Sequence, residues 1–223
     1  DVKPLLGSYC RMQCLLGDKA YDAEWLHEYC FDRNIKTIIS KKDAPILRRI
    51  AKPVLIKDIG SKKIQNIIER MKIALGREDD GVAIAAPQIR ESLRIFVISG
   101  RVPAILNNSL ENKPEKIKKL PDTVYINPEI IKLSRKKTKV EEGCLSVRWL
   151  YGVVERSEKA TIRAYDERGN KFEKGASGLM AQIFQHETDH LNGILFIDKA
   201  ENIENLPPRP RKTRHTHKKN ESR

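Results

Sequence analysis

Residues 185 to 193 of the chain read QHETDHLNG, with His186 and His190 four apart and Glu187 beside the first of them. On a helix, H-E-x-x-H turns two imidazoles toward one divalent metal and sets a carboxylate next to it as a base. Leu179, Ile183, His186 and His190 follow one another at spacings of four, three and four. The histidines therefore continue an apolar stripe and point inward. A hydrogen-bonded structural pair would also satisfy two buried imidazoles, but the adjacent Glu187 favours a metal site.

Most such sites need a third protein ligand. A metzincin protease would place a third histidine at the end of HETDHLNGILF; Gly193 is in place, but the last position is Phe196, which cannot ligate a metal. A thermolysin-like site would need a downstream glutamate, and only Glu201, Glu204 and Glu221 follow, all in a linker or tail. Upstream, EEGCLSV places Cys144 beside Gly143 at the end of a strand pattern. A thiolate with two imidazoles is a three-ligand set that leaves a fourth position open for chemistry. A lone cysteine also serves as a small buried apolar residue. Asp189, between the histidines, fits either an acceptor behind a ligand or a surface charge. The stretch GVAIAAPQI, residues 81–89, crowds small residues before Gln88, which by itself signals only tight packing.

These residues need elements to hold them. SKKIQNIIERMKIALG predicts a helix with Ser61 as N-cap, an apolar face of Ile64, Ile67, Ile68, Met71 and Leu75, and a stop at Gly76. RIFVISG, TVYINPEII and KVEEGCLSV read as strands, and ATIRAYDERGNKFEKG as a hairpin about the turn DERGN. RVPAILNNSLENKPEKIKKLPD is polar and proline-bearing and reads as a long loop. GLMAQIFQHETDHL predicts a second helix, capped by Ser177 and ended by Gly193. Strands followed by a buried helix indicate an α+β fold, with antiparallel strands around a C-terminal helix that carries HExxH.

GVAIAAPQ, EGCLS and QHETDHLNG, in that order, resemble the three motifs of the peptide deformylase family, over about residues 46–200. The resemblance implies that Cys144, His186 and His190 bind one divalent metal, generally Fe2+, with Zn2+, Ni2+ or Co2+ as substitutes. It implies Glu187 as acid and base, and the Gln88 side chain with the Leu145 backbone N–H as donors to the oxyanion. It implies Val82, Val140, Leu179 and Ile183 around the methionine side chain, with Ala83 and Gly143 along the substrate backbone. The implied reaction removes the formyl group from an N-formylmethionyl nascent chain and releases formate. The chain departs from the family pattern twice. Ala83 replaces the second glycine of the first motif, and Arg148 and Trp149 stand where many relatives have Pro-Gly.

The net charge of +13 is uneven. Residues 1–45 carry seven Lys/Arg and seven Asp/Glu, whereas 207–223 carry seven Lys/Arg against Glu221 alone. A basic, proline-rich end of this kind cannot bury a core, and it favours a polyanionic neighbour such as the ribosome. Nucleic-acid binding alone and a zinc peptidase are the rival readings. Of the four cysteines, Cys10, Cys14 and Cys30 match no zinc-knuckle spacing, which fits a reducing cytoplasm. The sequence has no apolar run of membrane-spanning length, ~18–20 residues, and its first ten residues do not read as a secretory signal. The first zone, to about residue 45, has its own resemblance. LLGDKAYDAEWLHEYCFDRNIKTIIS looks like the part of insertion-sequence (DDE) transposases around a catalytic carboxylate, here Asp18, with Asp22 as a helix cap. It covers only some thirty residues and lacks the partner carboxylates, so it reads as a fusion remnant or a misjoined reading frame rather than a working domain. The expected organisation is thus remnant and linker (1–45), enzyme domain (46–200) and basic tail (201–223).

Overall fold

In the computed structural model, which describes residues 44–78, 80–103 and 120–207, the first predicted helix forms as α1, Lys62–Arg77. Ser61 Oγ accepts the Ile64 N–H at 3.4 Å, the N-cap role its position predicts. The helix runs through Gly76 to Arg77 rather than stopping there, because the backbone at Gly76 does not enter the left-handed region.

Among the described residues, eight strands follow in two antiparallel sheets. Five of them, β1 (Ala83–Ala85), β2 (Ile95–Ile98), β3 (Thr123–Leu133), β6 (Lys159–Tyr165) and β7 (Lys171–Ser177), form one sheet in the order β1-β2-β3-β6-β7. The other three, β4 (Lys137–Gly143), β5 (Leu150–Ser157) and β8 (Glu201–Asn205), form the second in the order β4-β5-β8. The predicted hairpin is β6–β7, in register from Lys159 opposite Ser177 to Tyr165 opposite Lys171. The Asp166 carboxylate closes its turn by accepting the backbone N–H groups of Arg168 and Asn170.

Successive strand residues face opposite sides, and the first sheet uses both for burial. Ile84, Ile95, Val97, Val124 and Ile126 pack with the apolar face of α1. Ala83, Ala85, Phe96, Ile98 and Tyr125 pack on the other side, against Ala181, Ile183, Phe184 and Leu191 of α2, Gly178–Leu191. The continuous apolar run IFVI is the mark of a strand covered on both faces. The helix carrying HExxH is therefore clamped onto the sheet, with the Tyr125 ring 5.5 Å from Phe184 and 4.6 Å from Phe96.

Both ends of α2 bear on the prediction. Ser177 sits at the N-cap position, but its side chain makes no capping bond. Gly193 does end the helix. Its φ is +75, its N–H bonds His190 O at 3.1 Å, and a Cβ there would lie 2.6 Å from Arg48 O. Only glycine fits so close a passage in that conformation.

The expected boundary at residue 200 falls one strand short. Glu201–Asn205 pairs with β5, and the Leu206 N–H bonds Trp149 O at 2.7 Å. All five residues of this segment are exposed and only Ile203 is apolar, so a tail and an edge strand read alike in sequence. The stretch around Asp18 and Asp22, most of the predicted loop and residues 208–223 lie outside the described residues. Among the described residues, no helix is long and apolar enough to cross a membrane.

Candidate active site

The second sheet and α2 bring the predicted ligands together. β4 ends at Gly143, and Cys144 follows in a tight turn closed by the Val147 N–H on Cys144 O at 3.0 Å. One helical turn separates His186 from His190, whose ring centroids lie 4.9 Å apart. Cys144 Sγ is 3.1 Å from His190 Nε2, and a ligand atom from each of the three residues lies within 4.8 Å of the others. Phe196, in the place of a metzincin's third histidine, stacks on the His186 ring instead, at 6.4 Å between centroids.

A buried ion network orients the site. The Glu142 carboxylate accepts from His186 Nδ1 at 2.9 Å, which leaves Nε2 as the nitrogen for a ligand. The same carboxylate takes two bonds from Arg156, from Nε at 2.8 Å and Nη2 at 2.9 Å. Arg156 Nη1 continues to Asp189 at 2.6 Å, and Asp189 also accepts from Lys199 Nζ at 2.7 Å. Asp189 is thus neither a direct partner of a ligand nor a bare surface charge; it holds the arginine that holds Glu142. Sequence reasoning missed Glu142 and Arg156. The signal was an arginine two residues after Val154 on an alternating strand, hence on the same inward face.

Electrostatics follow from this packing. Burial alone would raise the Glu142 carboxyl, but His186 and Arg156 outweigh it and hold it at about 2. Burial would likewise raise the Cys144 thiol; His190 and His186 outweigh it and bring it down to about 5. Burial works against charge on His186, yet the hydrogen bonds and charges of Cys144 and Glu142 raise it well above its ordinary value. Glu187 is raised, chiefly by burial. Its Oε2 is buried with no hydrogen-bond partner among the described residues.

These residues fit a divalent metal. The thiol is tuned to the thiolate that ligates, one imidazole is oriented from behind, and a buried unpartnered carboxylate oxygen sits on the same helix.

Gln88 approaches from the first sheet, in a 3-10 turn, Ala86–Ile89, directly after β1. Its Oε1 accepts the Ala85 N–H at 2.8 Å, so the amide nitrogen must face the other way. Nε2 donates to Ser146 Oγ at 3.1 Å and lies 3.7 Å from Cys144 Sγ. Leu145 packs partly buried against the α1 side of the core. Val82, Ala83, Leu179 and Ile183 come together in the cluster between β1 and α2. Val140 lies outside that cluster, opposite Val154 on the β4–β5 pair. Gly143 is exposed, and a Cβ there would lie 2.7 Å from the Tyr151 ring.

The chain is similar to known proteins in sequence and fold. The profile of the family described as polypeptide deformylase matches residues 35–206, more than half of the chain. The peptide deformylase of Desulforudis audaxviator is 40% identical over 162 residues, which cover 71% of this chain and 90% of that protein. Peptide deformylase 1A of Arabidopsis thaliana, chloroplastic/mitochondrial, is 38% identical over 74% of this chain and 61% of its own length. Among solved structures, the Met-Ala-Ser-bound class I type b peptide deformylase of Acinetobacter baumannii superposes with a TM-score of 0.61 at 33% identity, over 73% of this chain and 97% of that one. The Thermotoga maritima enzyme gives 0.60 at 34% identity, over 75% and 98%. With the fold, the ordered motifs and these likenesses in agreement, the chain belongs to the polypeptide deformylase family, the enzymes that remove the formyl group from the N-terminus of new polypeptides.

Proposed function

We propose that the deformylase reaction of this chain runs at the Cys144–His186–His190 cluster, with Glu187 as proton carrier. The observation that carries the reading is the buried, unpartnered Oε2 of Glu187 on the helix that also presents both histidines. A divalent metal held by the three residues would supply Lewis acidity, which lowers the pKa of water from ~15.7 toward ~7. Glu187 takes the proton of the water that attacks the formyl carbon and delivers it to the departing amine nitrogen. Its raised affinity for protons, caused by burial, suits a group that must both accept and give one. Gln88 Nε2 and the Leu145 N–H donate to the oxygen that becomes negative, each worth roughly 3–4 kcal/mol in comparable sites. The Gln88 amide is already fixed by the Ala85 N–H, so it needs no reorganisation as charge develops.

The substrate is an N-formylmethionyl nascent chain. Its methionine side chain enters the apolar cluster of Val82, Leu179 and Ile183, with Val140 at the β4 side, and its backbone lies along Ala83 and Gly143. β1 is an edge strand of its sheet, which suits the addition of an extended peptide. Fe2+ is the proposed metal; thiolate and imidazole also suit Zn2+, Ni2+ and Co2+. A cytoplasmic location fits a cysteine kept free for a metal, Cys144. The ribosome is the proposed neighbour of the basic end. We take the enzyme unit to extend through Leu206 and the transposase-like stretch to be a fusion remnant without part in the reaction. Formate release from formyl-Met-Ala-Ser by anaerobically iron-loaded protein tests the reading. No formate from protein carrying a full metal complement would overturn it, and release of internal fragments instead would point to a peptidase.

A further inference from the structure

The first residue of the departure from Pro-Gly is built into the fold. Arg148 Nη1 bonds Asp80 Oδ2 at 2.9 Å, and its Nη2 bonds the Glu78 carboxylate. The contacts join two segments far apart in sequence. Arg148 lies four residues beyond Cys144, in the turn that leads into β5. Glu78 and Asp80 lie just before Gly81, where the chain enters β1. Arg101 Nη1 donates to Glu78 O at 3.2 Å, so this corner is tied from a third side. Tyr151 belongs to it as well: its ring covers the Gly143 backbone, and burial, then Asp80, raise its hydroxyl while Arg148 lowers it. The cluster is largely shielded but keeps an opening to water, with Arg148, Glu78 and Asp80 side chains 24%, 22% and 11% exposed.

The direction of the substrate follows from the site described above, and the inference rests on that reading. The formyl end lies beside Gln88, after the last residue of β1, and the methionine side chain lies beside Val82, before the first. A peptide laid along the free edge of β1 therefore runs antiparallel to it, away from Gln88. With methionine opposite Val82, the second residue passes Gly81 and the third reaches Asp80. At that point the bridge from Asp80 to Arg148 joins the two sides of the peptide groove this reading implies, the segment before β1 and the turn after Cys144.

We propose that Arg148 is a specificity-determining residue for the third residue of the nascent chain. Its positive charge offsets the carboxylates at the groove end, so that chains with an acidic third residue are accepted alongside basic ones. The role is electrostatic and acts on binding of the chain beyond methionine rather than on the attack at the formyl carbon. Arginine suits it because one planar guanidinium meets two carboxylates at once.

The test uses the metal-loaded full chain and three substrates, formyl-Met-Ala, formyl-Met-Ala-Lys and formyl-Met-Ala-Glu. The quantity read is the ratio of kcat/KM for the lysine and glutamate tripeptides, with formyl-Met-Ala as internal standard for each variant. Arg148→Ala should move the ratio toward lysine by at least about fivefold, the size of one partly screened unit charge at a groove rim. Arg148→Lys should hold it within about twofold of the unmodified protein. Asp80→Asn should move it toward glutamate, a reciprocal shift that does not depend on Arg148→Ala folding. Calorimetric binding of the product peptides Met-Ala-Lys and Met-Ala-Glu should follow the same order. A ratio unmoved in both Arg148→Ala and Asp80→Asn, in kinetics and in product binding, would overturn the proposal. Failure of the unmodified protein to hydrolyse even formyl-Met-Ala would instead strike the site assignment, while product binding would still report on Arg148.

Discussion

Glu142 on β4 and Arg156 on β5 reach toward each other along one face of the second sheet and meet in two hydrogen bonds of 2.8 and 2.9 Å, and the same carboxylate accepts His186 Nδ1 at 2.9 Å. One buried ion pair thus sets the orientation of a proposed metal ligand. Removing the arginine leaves Glu142 charged, buried and half satisfied. Arg156→Ala should cost about 3–5 kcal/mol of stability, the usual result of breaking a buried pair from one side. It should also weaken metal affinity about 10–100-fold through the loosened His186 ring. Chemical denaturation and metal titration check the two effects separately.

Glu187→Gln keeps the shape of the side chain but not its ability to carry a proton. Metal content should stay near that of the unmodified protein, while kcat falls by about 10²–10⁴. Residual turnover above roughly a tenth would show that another group acts as the base.

Cys144→Ser should strip the metal or leave it weakly held, whereas Cys144→Asp should keep some, because a carboxylate is a legitimate though harder ligand. The thiol can also be followed in metal-free protein. Its pKa of about 5 makes the thiolate the dominant form above that pH. Alkylation of Cys144 by iodoacetamide, followed by peptide mapping, should be at its plateau at pH 7 and fall only as the pH drops through about 5. A midpoint near the ordinary thiol value of ~8.5 would contradict the pairing with His190 and His186.

Gly193→Ala places a methyl group 2.6 Å from Arg48 O at a φ of +75. Strain in that region costs about 1–3 kcal/mol, and the contact adds to it. A lowered melting temperature is expected, together with some loss of metal, since Gly193 ends the helix three residues after His190.

Removing residues 207–223 spares β8 and the bond from the Leu206 N–H to Trp149 O. Formyl-peptide hydrolysis should be nearly unchanged. Co-sedimentation with ribosomes should weaken, and the part lost should be the salt-sensitive part. Equal binding and equal salt dependence of both forms would make the tail a bystander.

Both predicted helices and the pairing of His186 with His190 on one helix face were legible in the sequence because their signals are local. A 3.6-residue period buries Ile64, Ile67, Ile68 and Met71 of α1 on one face, and the same period turns His186 and His190 together. The motif order added Cys144 and Gln88. Tertiary structure alone decided what stands behind and around them. The Glu142–Arg156 pair depends on the β4–β5 register, Gln88 reaches Ser146 across 58 positions, and Arg148 reaches Asp80 across 68. The strand Glu201–Asn205 carries no burial pattern of its own and forms because β5 offers an edge. Periodicity records which face of an element is buried; it does not record which distant side chain will meet it there, since that depends on strand register and on the turns between elements.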